Sequence, residues 1–167
     1  RRDVDSGQDL RGRFKFRHRH YLPYDWQLTL ETSYSSDKNF IEWFYESEFD
    51  TGKEQETVAH LKRIKDNWGF SILGKFRIND HATKTEELPT IEYHLKGMSF
   101  WDDRLTFYSD NQVSRFRTLY AFDVTPTRPE DFHTFISSRN ELDMPLMFGS
   151  VKVVPFAAGT YGFEDDG

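Results

Sequence analysis

Five basic side chains alternate with apolar ones near the start of the chain, and they are the residues best suited to chemistry. Guanidinium and ammonium groups attract phosphates and carboxylates, by charge and by hydrogen bonding. Residues spaced two apart on a strand share one face of it. The spacing therefore predicts an anion-binding wall, unless water or neighbouring acids such as Glu31 simply pair with the basic groups. The wall consists of Arg11, Arg13, Lys15, Arg17 and Arg19.

Other reactive residue types form no comparable pattern. His18 and His20, two apart, could bind a metal in principle, but no carboxylate is near them in sequence, and we expect a structural or interfacial role. The sequence has no Cys, no glycine-rich phosphate loop and no nucleophile elbow. We therefore expect a protein that is not an enzyme and holds no metal or cofactor. A polysaccharide-acting enzyme on a β-sandwich remains an alternative, and it would need converging carboxylates.

Nucleic-acid binding is disfavoured by charge. The stretch RGRFKF interleaves basic and aromatic residues, as an RNA-stacking strand does. The formal net charge, however, is -6, and no pair of long amphipathic helices accompanies the stretch. We predict that nucleic acid is not a partner.

The basic residues lie in a predicted β-hairpin over residues 10–34. Strict alternation in both halves places Phe14 and Phe16 opposite the basic residues, and places Trp26 opposite Gln27. Pro23 marks the turn between the strands. Each strand is about ten residues long, which exceeds the usual five or six and suits a membrane barrel.

Six more strands are predicted downstream, and the connections between strands alternate in length. Residues 35–56 are predicted to be a structured loop with helical spacing of its aromatics, or alternatively a continued strand. Short turns are expected near 22–25, 65–67, 99–103 and 149–150, and long connections over 35–56, 79–89 and 118–138. Outer-membrane barrels separate short turns from long loops in this way. The further strands are predicted at Thr57–Ile64, Trp68–Ile78, Thr90–Met98, Arg104–Arg117, Asn140–Phe148 and Val151–Phe163.

Aromatic residues near strand ends favour the same architecture. Trp26 and Tyr34 bracket the second strand and would be separated by about 26 Å along it. Trp68 and Trp101 lie beside predicted short turns, where a membrane-interface girdle is expected. We therefore predict an all-β fold: an antiparallel up-and-down meander of about eight long strands, forming a segment of a transmembrane β-barrel. A complete small eight-stranded barrel, either OmpA-like or soluble and ligand-binding, is the alternative.

Four stretches of the chain, in order, carry a family resemblance. Within them, Ser36-Asp37 precedes Asn39-Phe40-Ile41, and Leu88-Pro89 precedes Ile91-Glu92-Tyr93. Leu142 to Pro145 is followed by a Gly turn. These motifs resemble those of the lipopolysaccharide-assembly outer-membrane proteins, LptD, also called organic solvent tolerance proteins (OstA). The stretches are residues 11–44, 68–95, 103–117 and 141–162.

The resemblance implies a role in envelope assembly. Residues 1–167 would be a partial outer-membrane barrel domain, without the family's N-terminal periplasmic jelly-roll and remaining barrel strands. The implied function is insertion of lipopolysaccharide into the outer leaflet of the bacterial outer membrane. The implied partners are lipopolysaccharide or a related glycolipid, an LptE-like plug lipoprotein, and periplasmic Lpt bridge components that act through the N-terminal domain. The expected contacts of substrate or plug inside the barrel are Arg11, Arg13, Lys15, Arg17, Arg19 and Glu31.

Overall fold

A computed structural model describes residues 11–52, 55–127 and 129–165, and most of these residues lie in strands. Leu10, predicted as the first apolar position of the hairpin, lies outside the described residues. Two short helices, α1 (Phe40–Phe44) and α2 (Glu46–Thr51), follow the first hairpin. The strands are β1 (Arg13–Leu22), β2 (Trp26–Ser35), β3 (Thr57–Lys65), β4 (Trp68–Phe76), β5 (Lys84–Phe100), β6 (Leu105–Leu119), β7 (His133–Asp143), β8 (Leu146–Phe148), β9 (Val151–Val153) and β10 (Phe156–Glu164).

The main sheet has eight strands in the order β1-β2-β3-β4-β5-β6-β7-β10, and every pairing in it is antiparallel. Each strand therefore pairs with its neighbour along the chain, except that the small β8-β9 hairpin intervenes before β10. The predicted all-β meander is confirmed. The sheet does not close, because β1 pairs only with β2 and β10 only with β7, so it does not support a complete eight-stranded barrel.

The helical prediction for the first long connection is confirmed, and the alternative of a continued strand is wrong. The predicted bounds of the second long connection are wrong. The predicted polar loop 79–89 is shorter, because β5 already begins at Lys84. The strand accommodates Pro89 in a bulge: Glu87 and Thr90 both pair with β6, and the two residues between them do not.

The end of the chain also differs from prediction. We expected a hairpin of Asn140–Phe148 with Val151–Phe163, whereas β7 begins at His133 and pairs directly with β10. The Gly149-Ser150 turn exists, but it joins the short strands of a separate two-stranded sheet. Pro145 and Pro155 explain the interruption, because proline lacks the N–H that a continuous ladder needs.

Short and long connections lie at opposite ends of the sheet. We call the end with turns at 23–25, 66–67 and 101–104 the short-turn end, and the other end the long-connection end. The long-connection end carries residues 36–56, 77–83 and 120–132. The predicted separation therefore holds, although the β8-β9 hairpin makes the fourth connection at the short-turn end longer than expected.

The sheet has one apolar and one polar face, and the register shows this from β2 through β7 and β10. Residues paired across neighbouring strands project to the same face. One row runs through Leu28, Leu61, Ile72, Ile91, Val113, Ile136 and Phe163, and it defines the apolar face. The adjacent row defines the polar face and runs through Gln27, Lys62, Ser71, Glu92, Gln112, Ser137 and Gly162.

The described residues do not enclose a large hydrophobic core. Only Phe40, Ile41, Leu95 and Ala121 are buried hydrophobic residues among them. Apolar-face residues such as Phe14 and Tyr161 are 58% and 61% exposed. A two-layered sandwich would bury one face of each sheet, so the β-sandwich alternative is not supported. No helix within the described ranges is long and apolar enough to span a membrane.

Candidate functional site

The basic residues of β1 lie on the polar face, and the α1-α2 segment folds over those at the long-connection end. Arg11 binds Asp37 through two nitrogens, at 2.6 and 2.9 Å. Arg13 binds both oxygens of Glu48 at 2.7 and 2.8 Å, and Lys15 binds one of them at 2.5 Å. The five basic residues of the predicted anion-binding wall are called the basic stripe below, and residues 11, 13 and 15 are its fastened half.

Aromatic rings of the same segment cover these guanidinium groups. The Arg11 guanidinium carbon lies 5.2 Å from the Trp43 ring centroid and 5.4 Å from that of Phe44. The Arg13 guanidinium carbon lies 4.7 Å from the Tyr45 ring centroid. Cation–π contacts add to the ion pairs and restrict access to the charges. The side chains of Arg11 and Arg13 are accordingly only 15% and 11% exposed.

The acids that hold this segment are shifted toward their charged forms. Hydrogen bonds from Arg13 and then Lys15 lower the pKa of Glu48 from 4.5 to about 2. The hydrogen bond from Arg11 likewise lowers the pKa of Asp37, with smaller help from Ser36. Both carboxylates therefore remain charged throughout the neutral and mildly acidic range.

The other half of the basic stripe is open. The Arg17 Nε lies 3.8 Å from the Glu31 carboxylate, too far for a hydrogen bond, and the Arg17 side chain is 50% exposed. Arg19 is exposed and has no ion pair within the described residues. These two residues are called the open half below.

A cleft of about 420 Å³ lies on the polar face beside the short turns. In register, Arg19 pairs with Thr29 and Thr29 with His60, so the open half is two strand spacings, about 10 Å, from the cleft. Together they form a mixed-charge surface with a basic rim. The polar residues that line the cleft come from β3, β4, β5 and the β3-β4 turn and are His60, Lys62, Asp66, Asn67, Ser71, Glu92, His94 and Lys96.

Hydrogen bonds order part of the cleft. Ser71 donates to the Glu92 carboxylate at 3.1 Å. His94 Nδ1 lies 2.8 Å from Asp110 Oδ1, and Lys96 Nζ lies 3.5 Å from the same oxygen. No group of three or more metal-ligating residues occurs in the described parts of the chain. Such a surface can bind phosphates through its cations and sugar hydroxyls through its acceptors.

The predicted interface aromatics occupy both ends of the sheet. Trp26 and Trp68 lie on the apolar face at the short-turn end, and Tyr34 lies on the same face at the long-connection end. Trp101 is in the β5-β6 turn and is 66% exposed. His18 and His20 share the apolar face of β1, where their rings stack with centroids 5.8 Å apart.

Sequence reasoning missed the cleft. His60 and His94 are far apart in the sequence, and the cleft residues between them in space come from three strands. Alternation within β3 and β5 could have indicated that these side chains share a face. Only the register, however, brings Lys62 opposite Ser71 and Ser71 opposite Glu92.

Comparison of the sequence with protein-family models shows the family of this chain. The family model described as LptD, LPS transport system D, matches residues 9–130, well over half of the chain. The resemblance noted for residues 141–162 lies beyond that range. No significant match was found among curated proteins or among solved structures. With its open meander of long antiparallel strands, the chain belongs to the LptD family of outer-membrane proteins, a transport family that handles lipopolysaccharide.

Proposed function

We propose that these eight strands are part of an outer-membrane barrel that inserts lipopolysaccharide into the outer leaflet. The polar face lines the interior and the apolar face contacts lipid. The observation that supports this most is the separation of a polar and an apolar row across β2 to β7 and β10 of the main sheet. Membrane barrels need this two-sided pattern, because lipid and a polar interior contact alternate residues.

A polar cluster on the apolar face is consistent with the proposal. Ser109 donates to Asn140, Asn140 to Ser138, Ser138 to Asn111, and Asn111 back to Ser109, over distances of 2.7 to 3.0 Å. This closed ring gives all four side chains a partner. Polar groups need such partners in hydrocarbon, where water cannot replace them.

The open edges of β1 and β10 support a larger assembly. An exposed edge strand presents unpaired N–H and C=O groups, which hydrocarbon does not tolerate. In the complete protein, further strands would pair with these edges, and an N-terminal periplasmic domain would receive the glycolipid from the Lpt bridge. Residues 1–167 are then one part of a barrel domain.

Substrate contact is assigned to the open half of the basic stripe and to the adjoining cleft. Of the six residues expected from the sequence, Arg17 and Arg19 are the cations that are both exposed and not held by a hydrogen-bonded carboxylate. Arg11 and Arg13 are covered, and Lys15 is exposed but bound to Glu48. Glu31 lies beside Arg17, and its carboxylate would orient the Arg17 guanidinium group. The ligand is the phosphorylated sugar portion of lipopolysaccharide or a related glycolipid, and an LptE-like plug lipoprotein would occupy neighbouring interior surface.

The interface aromatics would mark the two membrane boundaries. Trp26, Trp68 and Trp101 would lie at the periplasmic boundary, since short turns face the periplasm in such barrels. Tyr34 would lie near the outer boundary.

Site-specific photocrosslinking in the complete protein tests this assignment. We expect p-benzoylphenylalanine at position 17 or 19 to trap lipopolysaccharide or the plug lipoprotein. At position 28 or 30, on the opposite face of the same hairpin, it should trap phospholipid. Position 13 serves as the covered control and should give at most a weak lipopolysaccharide adduct. Phospholipid adducts at 17 and 19, with none at 28 and 30, would overturn the orientation of the sheet.

As a second prediction, Arg19→Gln should weaken the lipopolysaccharide adduct formed at position 17 without changing stability by more than about 0.5 kcal/mol. The expected loss is roughly fivefold, because one exposed cation is removed from a surface with several. Gel quantification of the adduct measures it, and the Thr29→Ala variant is the matched polar-face control.

A further inference from the structure

A single arginine interrupts the apolar face at the short-turn end. Arg63 of β3 lies in register between Trp26 of β2 and Phe70 of β4. Its guanidinium carbon is 5.2 Å from the Trp68 ring centroid and 5.9 Å from that of Trp26. The rings of Trp26 and Phe70 contact each other edge to face, with centroids 6.1 Å apart. Two indole rings therefore lie against the cation.

No anion compensates this charge within the described residues. The Arg63 Nε is covered and makes no hydrogen bond. No ion pair or hydrogen bond involving its other nitrogens is present there either. Its neighbours in the register are aromatic, and the next row of the same face is aliphatic through Leu28, Leu61 and Ile72. Aromatic faces attract a cation but do not accept the directional hydrogen bonds that its N–H groups can form.

We infer that Arg63 binds the phosphate of a glycerophospholipid head group. The planar guanidinium fork matches two phosphate oxygens, and the aromatic rings hold the fork in place before the ligand arrives. The position favours a lipid as the source of the phosphate. Aromatic girdles of barrels lie at the level of the head groups, where the acyl chains can contact the aliphatic row. The inference rests on the proposed function for the membrane-facing orientation of this side of the sheet.

Lys65 provides a matched control, because it lies two residues further along β3 on the same face. It is exposed, and none of the rings that enclose Arg63 lies over it in a cation–π contact. It carries the same charge near the same turn but lacks the aromatic enclosure. A general attraction of anionic lipid to basic groups would therefore respond to both residues, and a built site only to Arg63.

Native mass spectrometry of the complete protein tests the inference, after equilibration in nanodiscs of phosphatidylethanolamine and phosphatidylglycerol. We expect retained phospholipid to decrease about tenfold in Arg63→Gln, because a charge-assisted bond pair is lost. Phospholipid retention by Arg63→Lys should be intermediate between that of the wild type and that of Arg63→Gln. Retention by Lys65→Gln should match the wild type. Equal retention by wild type and Arg63→Gln would overturn the inference, and so would displacement of the lipid by millimolar inorganic phosphate.

A second measurement leaves Arg63 intact and does not depend on how its variants fold. Photoreactive p-benzoylphenylalanine at position 65 should crosslink a phospholipid labelled in its head group, and the absence of any adduct would contradict the site. The photocrosslinks at positions 28 and 30 separate the two hypotheses. Phospholipid adducts there, combined with unchanged lipid retention in Arg63→Gln, refute the lipid site alone. The absence of adducts there refutes the orientation in the proposed function.

Discussion

The two halves of the basic stripe belong to one alternating run of basic residues, in β1 and directly before it, but they have different surroundings. In the fastened half, Asp37 and Glu48 bind the cations, and aromatic rings of the α1-α2 segment cover the two guanidinium groups. In the open half, Arg17 is 50% exposed and Arg19 faces the cleft side of the sheet without an ion pair among the described residues. The first half therefore closes one end of the polar face, and the second remains free to bind.

This difference shows that the connection, rather than the strand, determines what a basic residue does. The connecting segments at the long-connection end also bind one another. Asn79, after β4, accepts a hydrogen bond from the Ser35 N–H and donates to the Ser33 carbonyl, each at 3.0 Å. Its amide replaces the missing strand partner, because β2 pairs with β3 only as far as Glu31. Lys38 and Asp123 join two further connections at 2.6 Å.

The largest effect is expected at Asn79. Asn79→Ala should destabilise the long-connection end by about 2 kcal/mol, because a buried N–H and a buried C=O of β2 lose their partner. Hydrogen exchange at the Ser35 amide, in the complete protein, measures this. Gln27→Ala, at the short-turn end of β2, should change stability by less than about 0.5 kcal/mol. Equal losses of stability in the two variants would contradict the proposed difference between the long-connection end and the short-turn end of the sheet.

A smaller effect is expected at Glu48. Glu48→Gln removes the carboxylate shared by Arg13 and Lys15 and should cost about 1 kcal/mol, since the pair is partly exposed to solvent. Exchange protection of the Tyr45 and Phe49 amides should decrease roughly fivefold. Glu46→Gln, in the same helix, is the matched control and should leave protection unchanged. The same Glu48 variant should also make Arg13 accessible, so that p-benzoylphenylalanine introduced at position 15 gains a lipopolysaccharide adduct.

Acid should release the α1-α2 segment by the same mechanism. The pKa of Glu48 is about 2 in the folded protein and 4.5 ordinarily. The contribution of this carboxylate is therefore complete above pH 4.5 and is lost as the pH falls toward 2. Tryptophan fluorescence of Trp43, with the other three tryptophans replaced by Phe, should report the change. The transition should be reduced in Glu48→Gln, and a transition that is unaltered by that substitution would assign the effect to other groups, such as Asp37.

The long strands were predictable because alternation is a local property. The first hairpin, β3 and β4 appear close to their predicted bounds, and their Pro, Asn and Asp turns lie where expected. The start of β5 and the last hairpin were not predictable from the same signal. Proline normally ends a strand, and the sequence does not reveal that a bulge lets β5 continue past Pro89 or that β8 and β9 form a separate sheet.

The sequence by itself determined the two faces, the segregation of short turns from long connections, and the family. These properties follow from residues near each other in the chain, whose period of two is set by the geometry of a strand. Only the tertiary structure decided which cations are available. The pairing of Glu48 with Arg13, the cleft between His60 and His94, and the enclosure of Arg63 by Trp26 and Trp68 all join separate elements. Register and loop packing bring those residues together, and neither can be obtained from the spacing of residues within one strand.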